Sequence, residues 1–250
     1  MHVIEHQGRA PVVVCLHGFC QSSAYWAPTL ARLATHGAHA LAPDLPGFAG
    51  SARRPGPYTM PGLADAVAAL LEARGFGEVV LVGGSRGGVV AQHLALRHPH
   101  RVKRLLLAAT GAATADPDGA LARADRLAAA PWNEETVTPI VAGFFYRLPP
   151  ADRLAEYRTI ALAAAQSAAV EAARSNACSR TLDDLARIEI PTMIVQGQHD
   201  RVRTPEHGAQ MRARIANARL HVIAQAGHTP QLEQPEAFHE VVLPFLLEQP

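Results

Sequence analysis

The chain has 250 residues, 48% hydrophobic and 18% charged, with a formal net charge of +1; this allows one sizeable α/β domain and argues against nucleic acid or another polyanion as partner. Its three cysteines, Cys15, Cys20 and Cys178, are too few and too irregularly spaced for a disulfide framework or a zinc site and suit a reducing compartment. Met1 to Arg9 has no apolar stretch behind a basic flank, and no run of about 18 apolar residues occurs, so neither a secretory signal nor a membrane span is expected and the chain reads as cytoplasmic.

Short apolar runs alternate with longer alanine-rich stretches. Val12 to Leu16 is rich in valine, ends at His17-Gly18 and predicts a buried strand. Tyr25 to Thr35 predicts a helix, Ala38 to Ala42 a strand ending at Pro43-Asp44, and Gly62 to Arg74 a helix. Val79 to Val82 is a second buried strand and runs into Gly83-Gly84-Ser85. A helix over Val89 to Arg97 stops before Pro99, and Val102 to Ala109 reads as a strand. Further on, Thr192 to Val195 and Leu220 to Ile223 are strands, Pro205 to Ile215 a helix, and Glu236 to Leu247 a closing helix. Such alternation implies an α/β fold, a mostly parallel twisted sheet with helices on both faces.

Residues 114–184 break the rhythm. They carry no strand signal, only helical stretches over Ala120 to Ala129, Pro139 to Tyr146 and Ala151 to Cys178. This predicts a helical cap inserted into a core built from residues 1–113 and 185–250; an extra layer of the core is the plainer alternative.

In sheets of this kind ligands bind beyond the carboxyl ends of the strands, and the residues with chemical potential fall there. Gly83-Gly84-Ser85-Arg86-Gly87 is a G-x-S-x-G between a buried strand and a helix. That context makes it a nucleophile elbow: the serine occupies a strained turn, and small neighbours let strand and helix pass closely. A phosphate loop would need Gly-Lys-Ser/Thr and a dinucleotide loop G-x-G-x-x-G, and neither is present. A serine hydroxyl needs a base within hydrogen-bond reach. His228, in Ala226-Gly227-His228-Thr229-Pro230, follows the last strand and is the candidate; Asp200, after the strand ending at Val195, is the carboxylate to orient it, although a turn aspartate is its bland reading. The order Ser, Asp, His is the one expected of such a scaffold. Asp44 also follows a strand but lies upstream of the serine, where it more simply braces a Pro/Gly-rich turn; His17 is read as a brace of the loop His17-Gly18-Phe19-Cys20. The backbone N–H groups of Phe19 and Arg86 are the expected donors to a developing oxyanion.

With these residues assembled, the chain resembles the α/β-hydrolase superfamily. The features are His17-Gly18-Phe19, Asp44-Leu45-Pro46-Gly47-Phe48, the elbow at Ser85, the Asp200 loop and Gly227-His228, spanning Val12 to the end with the cap least specific. It is most similar to the small capped esterases, enol-lactonases and non-heme perhydrolases. The resemblance implies acyl transfer through a serine ester, with the cap as one wall of the acyl pocket. Three departures stand out. Ala49 replaces a common glycine, which predicts a differently shaped loop; Arg86 replaces an uncharged residue; and the start before Val12 has room for one leading strand. The Arg86 guanidinium could anchor a substrate carboxylate, or point back into the sheet and pair with a nearby carboxylate.

The expected activity is hydrolysis of a small to medium carboxylic ester, thioester or lactone through an acyl-enzyme, with a small-molecule substrate as partner and no metal or organic cofactor. Trp132, Phe144, Phe145 and Tyr146 are candidates to line the acyl pocket, with cap core as the alternative. Two other classes stay open: a repurposed scaffold (perhydrolase, lyase or cofactor-free oxygenase) and a ligand-sensing receptor without turnover. A p-nitrophenyl ester series separates them, since only an esterase turns it over rapidly.

Overall fold

The computed structural model describes residues 1–52 and 54–248. Arg53, Gln249 and Pro250, all within the expected core segments, lie outside the described residues. Seven strands, β1 (Val3–His6), β2 (Arg9–Leu16), β3 (Ala38–Pro43), β4 (Val79–Gly84), β5 (Val102–Ala108), β6 (Thr192–Gly197) and β7 (Ala218–Ile223), form one sheet. Their spatial order is β1-β3-β2-β4-β5-β6-β7. β1, the single leading strand, runs antiparallel to β3, and every other pairing is parallel.

The central strands are apolar throughout because both of their faces are covered. Val14, Leu16, Leu81, Leu105, Leu107 and Ile194 point to one face and join α2 (Met60–Ala73), α3 (Arg86–Arg97) and α8 (Pro205–Arg212) in a single buried cluster. Their neighbours Val13, Cys15, Val80, Val82, Leu106 and Val195 point the other way, against α1 (Ala27–Thr35) and α10 (Pro235–Leu247). Each such side chain contributes roughly 1.5–3 kcal/mol when fully buried, which fixes which face each strand residue takes. The register sets Leu16 opposite Gly83 and Gly83 opposite Leu107. The loops leaving β2, β4 and β5 therefore emerge side by side at the carboxyl edge.

Four helices fill the interval between β5 and β6: α4 (Pro117–Ala129), α5 (Glu134–Ala142), α6 (Ala151–Leu162) and α7 (Gln166–Cys178). α4 lies along α7 and α5 along α6. Here the helix limits expected from sequence need correction. The stretch read as one helix over Ala151 to Cys178 is two, broken at Ala163 to Ala165, where the Ala165 N–H donates to the Gly47 carbonyl at 2.9 Å. The turn seats α7 on the Asp44–Phe48 loop, a tertiary contact that outweighs the helix propensity of alanine. α5 starts earlier than read, at Glu134, because the Asn133 side chain caps the Thr136 N–H. It ends at Ala142, so Phe144, Phe145 and Tyr146 lie on a turn instead of a helix. α3 likewise begins at Arg86, three residues before the expected Val89. Between β7 and α10 sits a one-turn helix, α9 (Pro230–Glu233). Among the described residues no helix is long and apolar enough to cross a membrane.

Candidate active site

Ser85 occupies the bend between β4 and α3 with φ 51° and ψ −120°, a conformation that an L-residue holds only when its surroundings enforce it. The enforcing contacts are specific. The Ser85 N–H donates to Ala108 O at 2.8 Å, and the Ser85 carbonyl accepts from the Gly88 N–H at 2.9 Å and from the Thr110 hydroxyl at 2.6 Å. α3 then runs hard against the end of β2: a Cβ on Gly87 would meet the Leu16 and His17 carbonyl oxygens at 2.4 and 2.5 Å. Any side chain there would push the helix, and with it Ser85, off the sheet.

Two later loops complete the arrangement. The Ser85 hydroxyl donates to His228 Nε2 at 2.7 Å, and His228 Nδ1–H donates to Asp200 Oδ2 at 2.8 Å. The other carboxylate oxygen of Asp200 accepts from the backbone N–H groups of Val202 (2.7 Å) and Arg203 (2.8 Å). That leaves Oδ2 for the imidazole and fixes its tautomer. Asp200 and His228 are almost wholly buried. Their loops can meet because residue 197 is glycine; a Cβ there would lie 2.0 Å from the Gly227 carbonyl oxygen.

His17 and Asp44 both serve as braces. Burial holds the His17 pKa well below the ordinary histidine value. The neutral ring donates from Nδ1 to Gly18 O at 2.9 Å and accepts the Leu45 N–H at Nε2, also at 2.9 Å. Asp44 takes the N–H groups of Ser23 and Gly50 and a hydrogen bond from the His2 ring. Burial would raise its pKa, but the Ser23 N–H, His17 and the Gly50 N–H outweigh it and hold the carboxyl below its usual value. The Gly18 N–H is taken by the Gln21 side chain at 2.8 Å. No loop or cap hydrogen bond among the described residues takes the N–H of Phe19 or Arg86. Phe19, Ser85, Arg86 and His228 open onto one cavity of about 420 Å³, whose far wall comes from α4, α5 and α7.

Of the four aromatics read as pocket residues, only Phe144 lines this cavity, its ring 5.6 Å from that of His228. The other three are corrected. Phe145 stacks on Tyr157 at 5.4 Å and packs with Trp132 in the apolar seam between the inserted helices and the core. Tyr146 stacks on His199 at 3.9 Å. On the turn that follows α5, successive side chains face different surroundings. Of the two readings of Arg86, pairing with a nearby carboxylate is not met, for no carboxylate pairs with it among the described residues. Its guanidinium lies 4.1 Å from the Phe48 ring centroid and 5.3 Å from that of Phe19, and donates to Gly18 O at 3.3 Å. Burial lowers its pKa to about 10, so it stays charged at neutral pH.

A family model described as alpha/beta hydrolase fold matches residues 11–235. The chain belongs to the α/β-hydrolase family. It is 31% identical to the 2-hydroxy-6-oxo-2,4-heptadienoate hydrolase of Pseudomonas putida, over 96% of this chain and 90% of that one. A hydrolase from Pseudomonas aeruginosa superposes with a TM-score of 0.89 at 30% identity, covering 98% of this chain and 93% of the other. The enol-lactonase from Burkholderia xenovorans superposes with a TM-score of 0.88 at 25% identity, covering 99% and 96%. These relatives support hydrolytic activity of the α/β-hydrolase type.

Two residues of this α/β-hydrolase escaped the sequence reading. Thr110 anchors the Ser85 carbonyl from the loop after β5; a threonine past a strand carries no signal of that role. Glu233 is the larger omission. Its Oε1 accepts from the Gly227 N–H, the Thr229 N–H and the Thr229 hydroxyl at 3.0–3.1 Å, and its Oε2 from the Tyr146 N–H at 2.7 Å. His228 sits between the two clamped residues and donates its own N–H to Phe144 O at 2.8 Å. One carboxylate thus ties the histidine loop to the turn after α5. Thr229 and Glu233 are four apart, one more than a capping box, which is the faint signal available. Among the described residues no three His, Cys, Asp or Glu side chains converge as a metal site requires.

Proposed function

We propose that this α/β-hydrolase is a serine hydrolase that cleaves a small to medium carboxylic ester, thioester or lactone through an acyl-enzyme. The observation that carries this reading is the continuous hydrogen-bonded chain from Ser85 Oγ through His228 to Asp200, at 2.7 and 2.8 Å, opening onto a cavity. Ser85 Oγ attacks the acyl carbon while its proton passes to His228 Nε2. The carbonyl oxygen takes the negative charge, within reach of the Phe19 and Arg86 N–H groups. Collapse expels the alcohol, thiol or ring oxygen, which takes the proton from His228. Water, deprotonated by the same nitrogen, then releases the acid and restores Ser85. Asp200 orients the ring and stabilises the imidazolium formed at each step. The cavity, about 420 Å³, lies toward the small end of ligand pockets, which favours a compact acyl group.

Labelling with a fluorophosphonate, followed by mapping of the modified residue, tests the assignment. Modification at Ser85, with turnover of a p-nitrophenyl ester series abolished in Ser85→Ala, is the expected result. A protein that resists the probe and hydrolyses none of the series, yet is stabilised by an ester analogue, would be a receptor or a repurposed scaffold.

A further inference from the structure

The cavity carries a charge that its own walls leave uncompensated. Arg86, Arg123 and Arg203 line it, and among the described residues no Asp or Glu does. Arg86 is 3% exposed, and its Nε and Nη1 are buried without a hydrogen-bond partner. A buried cation lacking a counter-charge is costly, because desolvation is not repaid by pairing. Arg203 is partly buried and gives Nη1 to Ala113 O at 3.3 Å. Its nearest carboxylate, Asp200, is already engaged by His228 and by two backbone N–H groups. Arg123, on α4, has Asp116 as its one ion-pair partner among the described residues, at 3.9 Å with both side chains largely exposed. Most of the remaining wall is apolar (Ala120, Ala124, Leu127, Ile140, Ala173, Ala177), and low-dielectric walls focus such a field inside a cleft.

We propose that the cavity selects an ester or lactone whose acyl part carries a free carboxylate, bound by Arg123 and Arg203, with Arg86 keeping the floor beside Ser85 positive. The inference rests on the serine hydrolase reading and names the substrate class of the same site. The ligand supplies the anion the walls lack, and its carboxylate forms charge-assisted hydrogen bonds to guanidinium groups that are free to donate.

Monoethyl adipate and ethyl hexanoate have the same acyl length and differ only in the terminal carboxylate. Followed by pH-stat at neutral pH and low salt, the half-ester is expected to have a kcat/KM about tenfold or more above the neutral ester, the size of one charge-assisted contact. The preference shrinks as salt is added. In Arg123→Gln and in Arg203→Gln the half-ester-to-neutral ratio falls about tenfold, mostly through KM, and Arg203→Lys restores part of it. Because each ratio comes from one preparation, loss of folded protein cancels. Equal or better use of ethyl hexanoate by the unaltered protein overturns the inference and leaves the hydrolase reading standing. If neither ester is turned over, calorimetry with adipate against hexane-1,6-diol still decides: adipate binding that weakens in Arg123→Gln supports it, and absence of adipate binding at millimolar concentration refutes it. Fluorophosphonate labelling reports on the underlying reading in either case.

Discussion

The two walls of the cavity are held in different ways. On the sheet side every group of the candidate triad is over-determined: three hydrogen bonds hold the Ser85 backbone, three partners hold the Asp200 carboxylate, and Glu233 grips the chain on both sides of His228. On the opposite side α4 contributes Ala120, Arg123, Ala124 and Leu127 to the lining, yet Ala124 is its only buried residue. Its polar ties run to α7 and the α7 side chains, through Gln166 to Leu127 O and Ala130 O and through Arg174 to Asp125. The difference separates two tasks. Reacting atoms need fixed geometry, since a displacement of about 1 Å can cost 100-fold in rate, whereas a specificity wall needs only shape and charge. Changes on the sheet side should therefore act on kcat, and changes on α4 on KM.

The sharpest break of that comparison is Ser85→Ala. It removes the proposed attacking atom without disturbing the walls, and kcat should fall by about 10⁴-fold or more with thermal stability close to that of the parent. A variant retaining a tenth of the parent rate would move the chemistry elsewhere.

Glu233 comes next. In Glu233→Gln one oxygen becomes an amide that faces backbone donors it cannot satisfy. The expectation is a roughly 10- to 100-fold fall in kcat and a loss of about 1–3 kcal/mol in stability, with KM nearly unchanged. A variant altered in KM alone would mean that Glu233 shapes the pocket rather than seating the base.

The same division governs what could be read from the chain. Apolar runs with a strict face preference located the strands, and since ligand sites sit beyond their carboxyl ends, Ser85, Asp200 and His228 could be singled out from a few flanking residues. The inserted helices obey no such rule. Nothing in Ala163-Ala164-Ala165 marks the break between α6 and α7, because it follows from a contact with Gly47 more than a hundred residues upstream. Among Phe144, Phe145 and Tyr146 only one faces the cavity, a choice made by the turn after α5 and by Glu233. Arg86 was flagged by its charge, but its place between two phenylalanine rings depends on loops that converge only in the fold.

A pH effect of intermediate size tests the sheet side as structure instead of catalyst. Burial is the leading cause that lowers the pKa of His17, and likewise of His93, His207 and His239. His17, lowered to about 4, is held neutral over this range, and the other three bind a proton less readily folded than unfolded, while the unfolded chain takes up protons below about pH 6.5. The unfolded state then binds more protons, so stability falls as pH drops through that value, by up to about 1.4 kcal/mol per pH unit for His17 and by less for the other three. Asp44, whose pKa is lowered, adds its own loss only near and below about pH 4. Denaturant midpoints should decline from pH 7 to 5, and more gently in His17→Gln, which cannot titrate. A flat midpoint over that range would contradict the neutral braces.

The smallest effect lies in the loop beneath Arg86. Ala49 has φ 41°, so a residue other than glycine holds a left-handed conformation here. An alanine in that region is strained by roughly 1–2 kcal/mol, whereas glycine gives back about 0.5–1 kcal/mol through its freedom when unfolded. Ala49→Gly should therefore stabilise the protein by up to about 1 kcal/mol, visible as a rise of a few degrees or less in Tm, with kcat and KM for a neutral ester little changed. A lower Tm would show that the Ala49 methyl packs well enough to outweigh the strain. A changed kcat would mean that the strain holds Phe48, and through it Arg86, in position, which would extend the fixed side of the cavity one loop further than the hydrogen bonds indicate.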